Sequence, residues 1–312
     1  MCKVLMTIGI KRNKRVSNTK FLMASLPYMS KTDNDGIGYV ACDGDNMWGE
    51  RWLTNKNAFK TKAIHSDVSL RIKDWLGEAA ENNEKEYNSF GSESMLKDAT
   101  SILLHTRKAT CAKNITNTHP FVIGDTALIH NGIIKNDEKI LANFKNKRIS
   151  TCDSESILQE YLYSGVNLDI AQIKNVGDML DGWYVAGVVS KDKNGRQIVD
   201  VFKCDQSNLH LAFIKELDSA VLCTTMDIIE KTCKDAKMTI LGHTSVKGGF
   251  ITRYDAKTGE KLAQHEFVPE CLEKHKQFYS ASSSSSSSGS DYSSGGVFSS
   301  RNSTYNYHAR GY

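Results

Sequence analysis

Read by the alternation of apolar and polar side chains, the chain is a series of short strands interrupted by a few helices. Residues 4–10 open with Val4, Leu5, Met6, Ile8 and Ile10, an apolar run of strand length. Residues 101–105, 121–124 and 127–130 are further runs of that kind. Residues 183–190 and 198–203 read as a hairpin turned by Asp192-Lys193-Asn194-Gly195. Residues 220–223 and 238–241 read as strands, and 250–254 with 261–267 as a closing hairpin. Four segments carry helical spacing instead. Val68, Ile72, Trp75, Leu76 and Ala79 predict a helix within 67–86. Asp153 is placed to cap a helix through Ile157, Leu158, Tyr161 and Leu162. Residues 170–180 and 226–234 complete the set. Strands outnumber helices and cluster in hairpins, which predicts largely antiparallel sheets covered by helices.

The pattern stops near Ser280. Ser282 to Ser288 is an unbroken serine run, and Gly, Ser, Tyr and Asn dominate from there to Tyr312. A segment so poor in aliphatic residues cannot offset its ordering entropy by burial, so 280–312 is expected to be a disordered low-complexity tail. The folded domain is expected over 2–270. No apolar run approaches the length of a membrane span. The net charge is only +4, with Lys and Arg interspersed among Asp and Glu, so neither nucleic acid nor a membrane surface is indicated as a partner. The first apolar stretch precedes the basic Lys11-Arg12-Asn13-Lys14-Arg15, the reverse of a secretory leader, and a cytoplasmic protein is expected. Eight cysteines, none spaced C-x-x-C, fit free thiols in a reducing compartment.

Cys2 stands apart. Its side chain is small, so the initiator methionine before it is removable. A chain then beginning with cysteine carries a nucleophilic thiol and an amine on one residue. The α-amine, with a reference pKa of about 7.7–8.0, can serve as general base near neutral pH without a partner histidine. On its own a cysteine at position 2 is more often coincidence. Four later segments change that balance: His105-Thr106-Arg107-Lys108-Ala109-Thr110, Asn117-Thr118-His119-Pro120-Phe121, His130-Asn131-Gly132, and Asp153-Ser154-Glu155 at a helix start. Individually, an arginine is a surface charge, Asn-Gly a turn and Asp153 a cap.

Together, behind Cys2 and in this order, they resemble the class II glutamine amidotransferases, which are N-terminal-nucleophile (Ntn) hydrolases. The resemblance is clear over 2–190, where Asp181-Gly182-Trp183-Tyr184-Val185-Ala186-Gly187 is similar to the family's following strand. It implies an α+β fold, a four-layer αββα sandwich of two largely antiparallel sheets flanked by helices. It implies Cys2 as nucleophile, with the Asn131 side chain and the Gly132 N–H as the oxyanion hole. It assigns Arg107 to the α-carboxylate of glutamine, where a planar fork suits bidentate binding. Asp153 then takes the α-ammonium, and Thr110 lines the same pocket. The implied reaction is glutamine to glutamate and ammonia, with the ammonia delivered to a separate acceptor enzyme, because no synthase sequence follows residue 267. The alternatives are hydrolysis of a γ-glutamyl or other small amide, or a catalytically silent binding protein. No cofactor is expected. His105, His119 and His130 lack zinc spacing and are read as structural, so no metal is expected either. Lys3, Val4, Lys108 and Cys111 depart from the family pattern, and the stretch between Asn18 and Thr100 is longer than a minimal domain needs.

Overall fold

The computed structural model describes residues 2–31, 35–53, 72, 87–91, 94–164 and 170–268. The helix expected over 67–86 lies outside these residues apart from Ile72, and so does the whole of the expected tail. In chain order the described strands are β1 (Lys3–Thr7), β2 (Gly36–Cys42), β3 (Met47–Leu53), β4 (Tyr87–Gly91), β5 (Ser101–Arg107), β6 (Phe121–Ile123) and β7 (Thr126–Ile134). They continue with β8 (Gly182–Lys191), β9 (Gln197–Lys203), β10 (His210–Ile214), β11 (Ser219–Cys223), β12 (Ile240–Ser245), β13 (Phe250–Asp255) and β14 (Lys261–Glu266). The helices are α1 (Arg15–Met29), α2 (Asp137–Leu141), α3 (Ser154–Ser164), α4 (Ile170–Met179) and α5 (Met226–Ala236).

The strands form two sheets, one of eight in the order β12-β10-β11-β1-β5-β2-β3-β4 and one of six in the order β14-β13-β9-β8-β7-β6. The neighbours pair antiparallel throughout. The unbroken apolar runs of the sequence follow from what covers each face. Successive strand side chains point to opposite faces, and here both faces are buried. Val4 and Met6 enter a core between the sheets with Val40, Leu103, Ile129, Val185 and Val199. Leu5, between them, enters a second core with Leu22 and Phe21 of α1 and Ile228 and Ile229 of α5. On the other side Leu128, Tyr184, Ala186 and Phe202 pack with Ile157, Leu158 and Tyr161 of α3 and Ile173 and Val176 of α4. The layers are therefore helix, sheet, sheet, helix: the αββα Ntn-hydrolase-like sandwich the sequence led us to expect. Among the described residues no helix is long and apolar enough to cross a membrane.

Strands β4 and β10 and helix α2 were not expected from the sequence, and three further features differ from that reading. Helix α1 was not anticipated, because nine of its fifteen residues are buried, Asn18, Thr19 and Ser25 among them. A helix covered on most of its circumference shows little amphipathic period. Strand β3 was hidden by Glu50 and Arg51. Glu50, though buried, accepts from Tyr39 Oη (2.9 Å) and Tyr87 Oη (2.8 Å), and Arg51 Nη1 donates to Thr118 O and Pro120 O at 3.0 Å. Last, Asn131-Gly132 is not a bend. Strand β7 runs on through Ile134, and Gly132 pairs with Tyr184 of β8.

A buried ion pair joins neighbouring strands of the six-stranded sheet, and a tyrosine of the helical layer over that sheet is tied to it. Arg253 of β13 donates through Nε and Nη2 to the two oxygens of Asp200 of β9, at 2.8 and 2.7 Å. Tyr161 of α3 donates to the same carboxylate at 2.7 Å. Burial and the Asp200 charge push the Tyr161 hydroxyl far above its ordinary pKa, so it stays a donor.

Candidate active site

Strand β1 is interior to the eight-stranded sheet, between β5 and β11. Its register, Lys3 opposite Thr106, sets the preceding Cys2 beside the end of β5. There Cys2 Sγ accepts from Lys108 N at 3.2 Å and lies 3.4 Å from Lys108 O. Burial pushes the thiol pKa up, while the Lys108 N–H and the positive charge of Arg107 pull against it. The resting group is a neutral thiol.

Asn131 and Gly132 come from β7 in the other sheet. They meet Cys2 in one cavity of about 410 Å³, lined also by Lys3, Trp183 and Gln206. Gly132 has φ +154°, and a Cβ there would lie 2.0 Å from Trp183 O and 2.9 Å from His130 Nε2. Only glycine permits β7 to run so close to β8 at this point.

Arg107, the last residue of β5, is 3 % exposed. Its Nη2 donates to Ala112 O at 3.1 Å and reaches Cys111 O and Cys111 Sγ at 3.4 Å. Its Nη1 is buried with no protein partner. Such a donor is costly unless something arrives to accept from it. Asp153 immediately precedes α3, and its Oδ1 accepts from Ser154 N at 3.0 Å. Its Oδ2 accepts from Ile134 N at 2.8 Å, which ties the helix start to the end of β7. Asp153 thus acts on the helix end as the sequence suggested, and it is close enough to Cys2 to raise that thiol's pKa through its charge. Arg107 and Asp153 therefore both stand near Cys2, although neither lines the cavity. Thr110 is exposed in the loop after β5 and does not line it either.

The rest of the motif residues hold loops. Asn117 is buried. It donates through Nδ2 to Ala112 O (2.9 Å) and Thr151 Oγ1 (2.8 Å), and accepts from Thr151 N at 2.9 Å. Glu155 is fully buried and accepts from Ile149 N and Ser150 N at 2.8 Å each. Asp35 stands immediately before β2. It accepts from Ala109 N at 2.9 Å and pairs with Lys113 at 3.2 Å, fixing the loop that follows Arg107. Burial alone would raise its pKa, but those donors and Arg107 hold it below the usual carboxylate range. Gly38 lets this region close, since a Cβ there would lie 2.1 Å from His119 O.

His105, His119 and His130 form a buried cluster behind Cys2 and Arg107, with the His105 and His119 rings 4.0 Å apart between centroids. His130 Nδ1 meets Ser154 Oγ at 2.8 Å. Burial is the main cause that lowers all three pKa values, that of His105 to about 3. The rings are neutral at pH 7. Sequence reasoning missed the outer lining of the cavity, Gln206, Ser207, Asn208, Thr224 and Thr225. Thr224 and Thr225 follow β11, which pairs with β1, and Gln206, Ser207 and Asn208 lie in the loop between β9 and β10; no local motif records either placement.

No protein-family model matches the chain, and no curated protein sequence matches it significantly. Solved structures do share its fold. Glutamine phosphoribosylpyrophosphate amidotransferase from B. subtilis aligns over 86% of this chain and 49% of its own, with 16% identity and a TM-score of 0.57. A structure described as the allosteric regulatory enzyme of purine biosynthesis aligns over the same shares, with 16% identity and a TM-score of 0.56. The chain spans about half the length of these structures.

Proposed function

We propose that this chain hydrolyses the side-chain amide of glutamine with Cys2 as an N-terminal nucleophile, releasing glutamate and ammonia. The observation that carries the reading is the single cavity shared by Cys2, Asn131 and Gly132, drawn from two separated segments and two sheets. The unpartnered Nη1 of Arg107 adds a buried donor suited to a carboxylate.

Removal of Met1 frees the Cys2 amine. The thiol rests protonated, so its proton must leave as the sulfur attacks, and the adjacent amine takes it. The sulfur adds to the amide carbon, and the oxygen becomes an oxyanion that accepts from the Asn131 side chain and Gly132 N–H. The amine returns the proton to departing ammonia, leaving a thioester that water hydrolyses. Arg107 and Asp153 hold the amino-acid head group, with Thr110 beside the carboxylate. The ammonia passes to a separate acceptor enzyme, docked so that the transfer is shielded from water.

Intact mass of the purified protein should show Met1 absent, and glutamine should yield glutamate. Inserting a lysine between Met1 and Cys2 should retain the methionine and abolish turnover with the fold intact by circular dichroism. Equal turnover in both forms would overturn the reading. One observation favours a second substrate class: the cavity continues past Cys2 to Lys3, Gln206 and Thr225. That is more room than ammonia needs, and γ-glutamyl amides of larger amines would use it. Comparing kcat/KM for glutamine and for such amides decides between them.

A further inference from the structure

Two cysteines that the proposed reaction does not use stand between the residues proposed to grip the substrate. Cys111 lies in the loop after β5 and Cys152 directly before Asp153. Both are free thiols, and Cys111 packs against the buried cluster that contains Cys152. Asn117 holds their loops together, through Ala112 O on one side and both Thr151 N and Thr151 Oγ1 on the other. Each thiol also touches a different half of the proposed clamp. Cys111 Sγ lies 3.4 Å from Arg107 Nη2, and Cys152 Sγ lies 3.3 Å from Asp153 Oδ1.

We propose that Cys111 and Cys152 are a redox modification site, a dithiol that a peroxide converts to a disulfide, and that the bridge loosens the grip on the amino-acid head group. The loosening rests on the reading of Arg107 and Asp153 given above; the disulfide does not.

The two sulfurs are unequal in the way such chemistry requires. The Cys152 hydrogen bond and the Arg107 guanidinium hold the Cys111 thiol down to about 6, so it is largely thiolate at neutral pH. Cys111 is half-buried, open enough for a small oxidant to reach it. Cys152 is buried and pushed up by its bond to Cys111, by burial and by the Asp153 charge, so it keeps its proton. The Cys111 thiolate attacks hydrogen peroxide, the O–O bond breaks, and sulfenic acid and hydroxide result. The sulfur is oxidised by two electrons and the peroxide reduced by two. Cys152 then gives up its proton and attacks the sulfenyl sulfur. An S–S bond forms, the S–O bond breaks, and the hydroxyl leaves as water. The sum is two thiols and one peroxide giving one disulfide and two waters.

The bridge must draw the sulfurs together to about 2.05 Å. Cys111 then no longer accepts from Arg107, and Cys152 no longer donates toward Asp153. Both loops shift together because Asn117 couples them.

The test treats the full chain with hydrogen peroxide, blocks the remaining thiols, and maps linked peptides by mass spectrometry. KM for glutamine is measured before oxidation, after it, and after reduction with dithiothreitol. A peptide linking Cys111 to Cys152, with KM raised at least tenfold and restored on reduction, is the expected result. Cys152→Ser and, in case that variant does not fold, Cys111→Ser should each abolish the linked peptide and the reversible change in KM. Absence of a 111–152 linkage, or a linkage through Cys2 instead, overturns the proposal. A linkage that leaves KM unchanged overturns the loosening. Absence of glutamine turnover in the reduced protein would sink the reading of the active site, while the linked peptide still decides the disulfide.

Discussion

Replacement of Arg107 by lysine tests the proposed clamp most directly. Arginine presents two nitrogens at fixed separation. Nη2 is committed to Ala112 O and the Cys111 backbone and sulfur, while Nη1 has no protein partner. Lysine keeps the charge but has a single nitrogen, which cannot both hold the loop and meet a substrate carboxylate in the same geometry. A hydrogen bond to a charged group contributes about 1.5–3 kcal/mol, and each 1.4 kcal/mol is about tenfold. Arg107→Lys should therefore lower kcat/KM for glutamine by about 10- to 100-fold. Weakening the bond to Ala112 O should also cost about 1 kcal/mol of stability, read by urea unfolding. A structural role alone would give a similar loss on any substrate, so the assay runs a second amide beside glutamine. 4-Aminobutanamide keeps the amine and the amide but lacks the carboxylate. On it the variant should lose no more than about threefold, within the few tenths of a kcal/mol expected of indirect effects. Equal losses on the two amides would refute the clamp and leave Arg107 as a loop anchor.

Three further outcomes follow from the same geometry. Gly132→Ala forces a Cβ within 2.0 Å of Trp183 O and displaces a proposed oxyanion donor, so kcat should fall by about 10²–10³ in a glutaminase assay. Asp200→Asn strands the buried Arg253 guanidinium and should cost about 3–5 kcal/mol in urea unfolding, far from the cavity. The pH dependence of stability follows from His105, His119 and His130, whose folded pKa values lie below the ordinary 6.5. The folded state refuses protons that the unfolded chain accepts. Their contribution is thus fully present above about pH 6.5 and is lost as pH falls toward the folded values, at up to about 1.4 kcal/mol per pH unit for each ring. Unfolding free energies at pH 7.5 and 5.5 that agree within error would contradict this.

The linear sequence singled out the candidate-site residues that carry local motifs, Cys2, Arg107, Thr110, Asn131-Gly132 and Asp153, of which Cys2, Asn131 and Gly132 line the cavity. Antiparallel sheets covered by helices were legible from the apolar runs, such as those of β1 and β8, whereas the order of the four layers came from the family resemblance. What escaped did so for stated physical reasons. Helix α1 is buried around most of its circumference, so it has no amphipathic signature. Strand β3 carries a glycine and charges that only its neighbours satisfy. Asn131-Gly132 has the composition of a turn, but pairing with β8 overrides it. The meeting of Cys111 with Cys152, and of Gln206 with Cys2, depends on tertiary contacts that no spacing encodes.

Gly187 of β8 lies against Leu103 and Met6, where an added methyl would sit 2.9 Å from Leu103 Cδ2 and 3.0 Å from Met6 Sδ. The proposed nucleophile rides on one slab of this sandwich and its proposed oxyanion donors on the other, so the filling between the slabs acts as a spacer that gauges their separation. A single methylene added or lost in that filling would reach the chemistry as a change in reach between sulfur and amide, with no residue of the cavity altered. Evolution of the rate in such a protein can therefore proceed through its innermost, least conspicuous side chains.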